Sequence, residues 1–155
     1  MNEIVERLIQ LKKTIATMES CTGGHIVDSI TSVPGASSVL KYSCVTYSNE
    51  YKIKMQVNEE IIDKYSVYSM EVAKDMSLKI ATFADSNYGV GVTGKLLKKD
   101  DDNPYGKDDE VFISVYDKDD DTYYMTKVKA ICDSRVENKD LVLNETVKML
   151  KKVVR

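Results

Sequence analysis

Ala16-Thr17-Met18-Glu19-Ser20-Cys21-Thr22-Gly23-Gly24 is the stretch whose reading decides the fold. Residues 14–18 are an apolar, β-branched run, the pattern of a short buried strand. The run stops at small polar residues, and two glycines lead into an amphipathic stretch, residues 25–33. Strand, tight turn and helix therefore follow one another directly. Gly23 and Gly24 permit the sharp turn and a close backbone approach to a ligand. The first N–H groups of the helix have no partner within it and can receive an anion or a developing negative charge. Ser20 and Thr22 put hydroxyls at the same point. The same residues also suit a plain Ser/Thr helix cap with a glycine turn. No Lys-Ser or Lys-Thr follows the glycines, so this is not a Walker loop, and the spacing is not Gly-x-Gly-x-x-Gly.

Working outward, residues 2–13 read as a helix capped by Asn2, with Ile4, Val5, Leu8 and Ile9 as its apolar face. Val33-Pro34-Gly35-Ala36-Ser37-Ser38 is a turn. Residues 42–48 read as a second strand, with Val45 and Tyr47 on one face and Cys44 and Thr46 on the other. Asn49 suits the cap of a short helical turn through Lys52, and residues 59–65 form another short helix. Ser69 caps a longer helix over 70–84, with Met76, Ile80 and either Ala73 or Ala84 as its stripe. A third strand, 88–93, ends in Thr93-Gly94. Residues 95–109 form a polar loop. Residues 110–117 and 122–131 are strands joined by an acidic turn, a hairpin. Asp133 or Ser134 caps a final helix to about residue 153, with Leu143, Val147, Leu150 and Val154 as its stripe.

This order predicts one domain over residues 1–155. Its class is α/β, three layers α/β/α around a mixed, mostly parallel five-stranded sheet. Helices separate the early strands, which therefore pair parallel, and the last hairpin is antiparallel. Sites in such sheets lie beyond the carboxyl ends of the strands. Residues 20–24, 47–52 and 93–94 are placed there together.

Hydrophobic content of 43% and charged content of 30% are ordinary for a globular protein. No apolar run approaches a membrane span, and residues 1–13 are too charged for a secretory signal, so the expected location is the cytoplasm, with no membrane partner. The cysteines Cys21, Cys44 and Cys132 have no Cys-x-x-Cys spacing, which argues against a disulfide framework or a zinc site. His25 is the only histidine, so no histidine-rich metal site is expected. The formal net charge of −3 hides an asymmetry: residues 100–121 carry ten acids and two lysines. No basic stripe with interleaved aromatics suggests a nucleic-acid partner.

A hydroxyl nucleophile needs a base. His25 could serve Ser20 or Cys21, but it sits one turn along the helix, where a packed or surface role is the simpler reading. Lys52 is the alternative, carried off the end of a strand by Tyr47-Ser48-Asn49-Glu50. A free lysine is protonated at neutral pH, so it must be desolvated or placed near other cations to act. Lys52 could equally be one surface lysine among many.

Four blocks together resemble the CinA carboxy-terminal domain family, the nicotinamide mononucleotide deamidases also called PncC. They are Glu19-Ser20-Cys21-Thr22-Gly23-Gly24, Val33-Pro34-Gly35-Ala36-Ser37-Ser38, Val45-Thr46-Tyr47-Ser48-Asn49-Glu50-Tyr51-Lys52 and Gly91-Val92-Thr93-Gly94. The resemblance implies a three-layer α/β/α fold. It implies an amidohydrolase that converts nicotinamide mononucleotide to nicotinate mononucleotide and ammonia, as in NAD salvage, with no metal or organic cofactor. By motif, Ser20 is the implied nucleophile, Lys52 the base and Tyr47 the hydroxyl that relays or orients the proton. Thr22, Ser37 and Thr93 are implied contacts to substrate or oxyanion. Gly23, Gly24, Gly94 and Arg135 complete the implied binding set. A homo-oligomer is a further expectation of the resemblance. The alternative is a nucleotide-binding or interaction module that keeps the fold with weak or no catalysis.

The chain departs from the family pattern after Gly94. The family carries a glycine-proline-rich loop there, and this chain has Lys95-Leu96-Leu97-Lys98-Lys99-Asp100-Asp101-Asp102. A family arginine four residues after Arg135 is Lys139 here. In the rebuilt loop, Lys95, Lys98, Lys99 and Lys107 suit a phosphate, and the aspartates repel one. The expectation is lysines toward the site and acids toward solvent. The alternative is a solvated insertion with no role.

Overall fold

In the computed structural model, which describes all 155 residues, β1 (Ile15–Glu19) lies between two parallel neighbours. All five of its residues are buried, as a strand covered on both faces requires. It pairs with β2 (Cys44–Val45) on one side and with β3 (Tyr88–Gly94) on the other. β3 pairs antiparallel with β4 (Glu110–Asp117), and β4 with β5 (Thr122–Lys129). The order is β2-β1-β3-β4-β5. The sheet is mixed and five-stranded, as expected. Only half of its pairings are parallel, however, because the chain returns from β3 to β4 without a crossover helix.

Helices cover both faces. α1 (Asn2–Leu11), α2 (His25–Thr31) and α6 (Arg135–Val153) bury their apolar residues with Ile15, Val90, Val92, Ile113 and Val115. α3 (Asn49–Lys54) follows β2. α4 (Glu59–Tyr65) and α5 (Met70–Phe83) pack on the other face over Ala16 and Met18. Ile15 thus enters one core and Ala16 the other, the alternation of a strand. Gly89 and Gly91 let α5 lie directly on β3. A Cβ at Gly91 would stand 2.2 Å from the Ala73 carbonyl oxygen, and one at Gly89 would stand 2.0 Å from that of Ser77. No helix is long and apolar enough to cross a membrane.

Four local expectations are corrected. α1 starts at Asn2 itself, with Met1 at the cap position and no side-chain cap bond. α3 is capped by Ser48, whose hydroxyl accepts from Tyr51 N, one residue earlier than expected. β2 has two ladder residues in place of seven, because at Ser43 a side-chain hydroxyl, not the backbone, accepts from Thr17 N at 2.9 Å. The alternation around it survives: Thr46 is buried and Val45 and Tyr47 are exposed. On α6 the buried face runs through Asn138, Val142, Thr146, Met149, Leu150 and Val153, while Leu143 and Val147 are half-buried. Asn138 turns that face inward by donating its amide to Cys132 O and Ser134 O at 2.8 and 3.0 Å.

Candidate active site

Lys52 is the least expected buried residue of the chain. It sits in the last turn of α3, only 1% exposed, and reaches back to Thr46, the residue after β2. The Nζ donates to the carbonyl oxygen of Thr46 at 2.7 Å and lies 3.1 Å from Ser20 Oγ. Burial lowers its pKa from the ordinary lysine value to about 8, against the opposite pull of the Asp100 charge. At pH 7 about a tenth of such amines are neutral. A neutral Nζ has a lone pair that accepts the proton Ser20 Oγ donates. Thr46 Oγ1 is the one buried side-chain polar atom in the chain without a hydrogen-bond partner.

Ser20 is held in place by the residue before it. The Glu19 carboxylate is fully buried and accepts five hydrogen bonds. Oε2 takes Thr22 Oγ1 at 2.7 Å and the N–H groups of Gly24 and Ile26 at 3.1 Å. Oε1 takes Val27 N at 2.8 Å and Thr17 Oγ1 at 3.2 Å. The start of α2 is therefore already filled by an internal anion. This corrects the expectation that Gly23 and Gly24 present free N–H groups: Gly23 N donates to Ser20 O at 3.0 Å, and Gly24 N to Glu19. Gly24 has φ 96°, a conformation that favours glycine. Thr22 is fully buried with its hydroxyl on Glu19, so it shapes the loop and does not face the cleft.

Above the Ser20–Lys52 pair lies a cleft of about 600 Å³ at the carboxyl ends of β1 and β3. Ser20, Cys21, Tyr47 and Gly94 line it from the strand ends, and Arg135 lines it from the start of α6. Arg135 Nη1 donates to Leu96 O at 3.2 Å, tying α6 to the rebuilt loop. Tyr47 is 66% exposed, at the mouth. Tyr68, half-buried, forms the opposite wall and donates its hydroxyl to Asp100. The expected division of the loop is corrected. Lys95, Lys98 and Lys99 line the cleft as expected, but so do Asp100, Asp101 and Asp102. Lys95 is buried, paired with Asp108 at 3.1 Å and placed 5.0 Å over the Tyr68 ring. Lys107 turns to Glu110 at 3.4 Å. Asp100 comes inward because neutral donors receive it: besides Tyr68 it accepts from Asn103 Nδ2 at 2.9 Å and Asp102 N at 3.1 Å.

Two further expected contacts lie elsewhere. Thr93 is fully buried and donates to Val67 O at 2.9 Å. Ser37 is exposed in a 3-10 turn whose next residues, Val39 and Leu40, pair with Ile15 at the start of β1. That is the opposite end of the sheet from Ser20. His25 ion-pairs with Asp140 at 2.7 Å and does not approach Ser20. Cys21 is buried, and burial pushes its thiol up to about 12, which leaves it protonated. No group of three or more His, Cys, Asp or Glu side chains converges on a metal position.

Sequence reasoning missed Glu19, Tyr68 and Asp100. For Glu19 a signal existed: a carboxylate placed just before a glycine-started helix can reach its free N–H groups. For Tyr68 there was none, because the loop that meets it is more than a helix and a strand away in sequence.

Comparison with known proteins bears on the chain as a whole. The model of the CinA C-terminal domain matches residues 1–154. A CinA-like protein of Endomicrobium trichonymphae is 44% identical over 88 residues, 56% of this chain and 21% of that protein. A competence-damage inducible protein of Alkaliphilus oremlandii is 46% identical over 96 residues, 61% of this chain and 23% of that protein. The matched stretch is thus less than a quarter of those relatives' length. A competence-damaged (CinA) superfamily protein from Klebsiella pneumoniae superposes with a TM-score of 0.87 at 19% identity, covering 99% of this chain and 94% of that one. One from Escherichia coli does so with a TM-score of 0.85 at 21% identity, covering 98% and 87%. These structures share the fold.

Proposed function

This chain belongs to the CinA C-terminal domain family, and on that premise we propose that it is an amidohydrolase acting on the carboxamide of nicotinamide mononucleotide. One observation carries the reading: a lysine 1% exposed, with its Nζ 3.1 Å from a serine Oγ at the floor of a cleft. Lys52 takes the Ser20 proton as Oγ attacks the carboxamide carbon. The tetrahedral intermediate collapses, the C–N bond breaks and Lys52 returns the proton to the departing ammonia. An ester on Ser20 remains. Lys52 then removes a proton from water, the hydroxide attacks the ester carbon, and Ser20 leaves with that proton as nicotinate mononucleotide departs. Tyr47, at the mouth, is the third group of the proposal, orienting the carboxamide.

The reading is tested by ammonia release from nicotinamide mononucleotide. Wild-type protein is expected to turn over, and Ser20→Ala is expected to lose at least a thousandfold in rate while melting within a few degrees of wild type. Equal rates in the two proteins would remove Ser20 from the mechanism. The aspartates of the rebuilt loop on the cleft wall favour a second reading, a binding module of the same fold. That reading expects ligand binding without ammonia release.

A further inference from the structure

Asp100 is the one carboxylate of the cleft wall fixed on both oxygens. Oδ2 accepts from Tyr68 OH and from Asn103 Nδ2 at 2.9 Å, and Oδ1 accepts from Asp102 N at 3.1 Å. Asn103 in turn accepts on Oδ1 from Asn49 Nδ2 at 2.7 Å, so the loop is latched to the start of α3, the helix that carries Lys52. Every donor to Asp100 is neutral. No lysine or arginine is among the groups that hold it, and these bonds keep its carboxyl below the usual carboxylate range, hence ionised. It lines the same cleft as Ser20. Lys95, which lines the same cleft, does not cancel its charge, being matched by Asp108 at 3.1 Å.

Two aromatic rings line this cleft. Tyr68 is half-buried beside Asp100, and Tyr47 stands at the mouth of the same cleft. Tyrosine faces attract cations, and Tyr68 already holds the Lys95 ammonium 5.0 Å from its ring centroid. A fixed carboxylate outside any ion pair, with the exposed Tyr47 ring in the same cleft as the nucleophile, suits a flat ring that carries a positive charge.

We propose that Asp100, oriented by Tyr68 and Asn103, is a specificity residue that selects substrates whose amide is borne on a cationic aromatic ring, an N-substituted pyridinium, over the neutral ring of the same shape. The inference rests on the amidase reading and sharpens it. The rebuilt loop is then a charge filter. It reads the ring, and Lys98, Lys99 and Arg135 are left to meet an anionic group elsewhere on the ligand.

The test is a binding measurement in the Ser20→Ala protein, where no turnover interferes. Oxidised nicotinamide mononucleotide carries the pyridinium charge; its 1,4-dihydro form has the same phosphate and nearly the same shape without it. The preference for the oxidised form, as a ratio of dissociation constants, is expected to fall at least tenfold on Asp100→Asn. Asp101→Asn removes the same charge from the same wall without its hydrogen bonds and is expected to leave the ratio within threefold. A purely structural role for Asp100 would weaken both ligands equally and keep the ratio, which would overturn the proposal. An equal fall with Asp101→Asn, or no preference in the parent protein, would overturn it too. Failure of the amidase reading appears separately, as absent ammonia release from wild-type protein.

Discussion

Lys52 is a residue whose native environment opposes its usual charge. Burial lowers its pKa from 10.5 to about 8. Below about pH 8 the folded chain holds a charged, desolvated ammonium, at a cost of about 3 kcal/mol relative to the unfolded chain. Between about 8 and 10.5 the unfolded chain binds more protons than the folded one, so stability rises with pH through this window. Above 10.5 the amine is neutral in both states and the cost is gone. Lys52→Met removes this dependence. It also leaves Thr46 O without its donor, which fixes the sign of neither variant at a single pH. The pH dependence of the difference is free of that ambiguity. In urea unfolding, wild type should gain about 3 kcal/mol on Lys52→Met between pH 7 and pH 10.5. A constant difference would mean that Lys52 is not desolvated as described. Sequence spacing alone left Lys52 between a base and one more surface lysine, because burial of a lysine stem is a tertiary fact with no local signature.

At the scale of elements, the nucleophile loop and α2 act as one unit around the Glu19 carboxylate. Two N–H donors and a hydroxyl meet Oε2, and an N–H and a hydroxyl meet Oε1. Glu19→Gln presents an amide N–H₂ to donors and cannot accept at that atom. We expect a loss of about 3 kcal/mol in unfolding free energy, with reduced turnover from a displaced Ser20. Stability within about 0.5 kcal/mol of wild type would show that the loop holds itself without Glu19. The elements themselves were largely legible, since strand-turn-helix punctuation and periodicity are local properties. α5 and β4 start where the pattern places them, at Met70 and Glu110. The failures came where a side chain does the backbone's work. Ser43 replaces a ladder acceptor at β2, and Asn138 and Thr146 occupy core positions on α6 that a hydrophobic pattern passes over.

For the whole molecule, the parallel half of the sheet delivers Ser20 and the residues after β2 to one edge, while the antiparallel half is reached through the rebuilt loop. The first contribution is readable in sequence, because the rule that sites lie beyond strand carboxyl ends needs only element order. The second is not. The wall formed by Tyr68, Asp100, Asn103 and Asn49 joins residues far apart in the chain, and the run of aspartates resembles a solvated edge until those donors are found. Ser37 shows the converse: a motif position can lie at the far end of β1 from the chemistry. The proposed chemistry makes Ser20 a nucleophile whose proton is taken by a lysine neutral near pH 8. Its most direct measurement is the rate at which a small fluorophosphonate, a serine-directed phosphorylating reagent, labels the protein across pH 6 to 10, read by intact mass and peptide mapping. The expected result is a single label on Ser20, a rate that rises with pH and levels off above about 8, and loss of labelling in Lys52→Met. Absent labelling, a label on another residue, or equal labelling in Lys52→Met would contradict it.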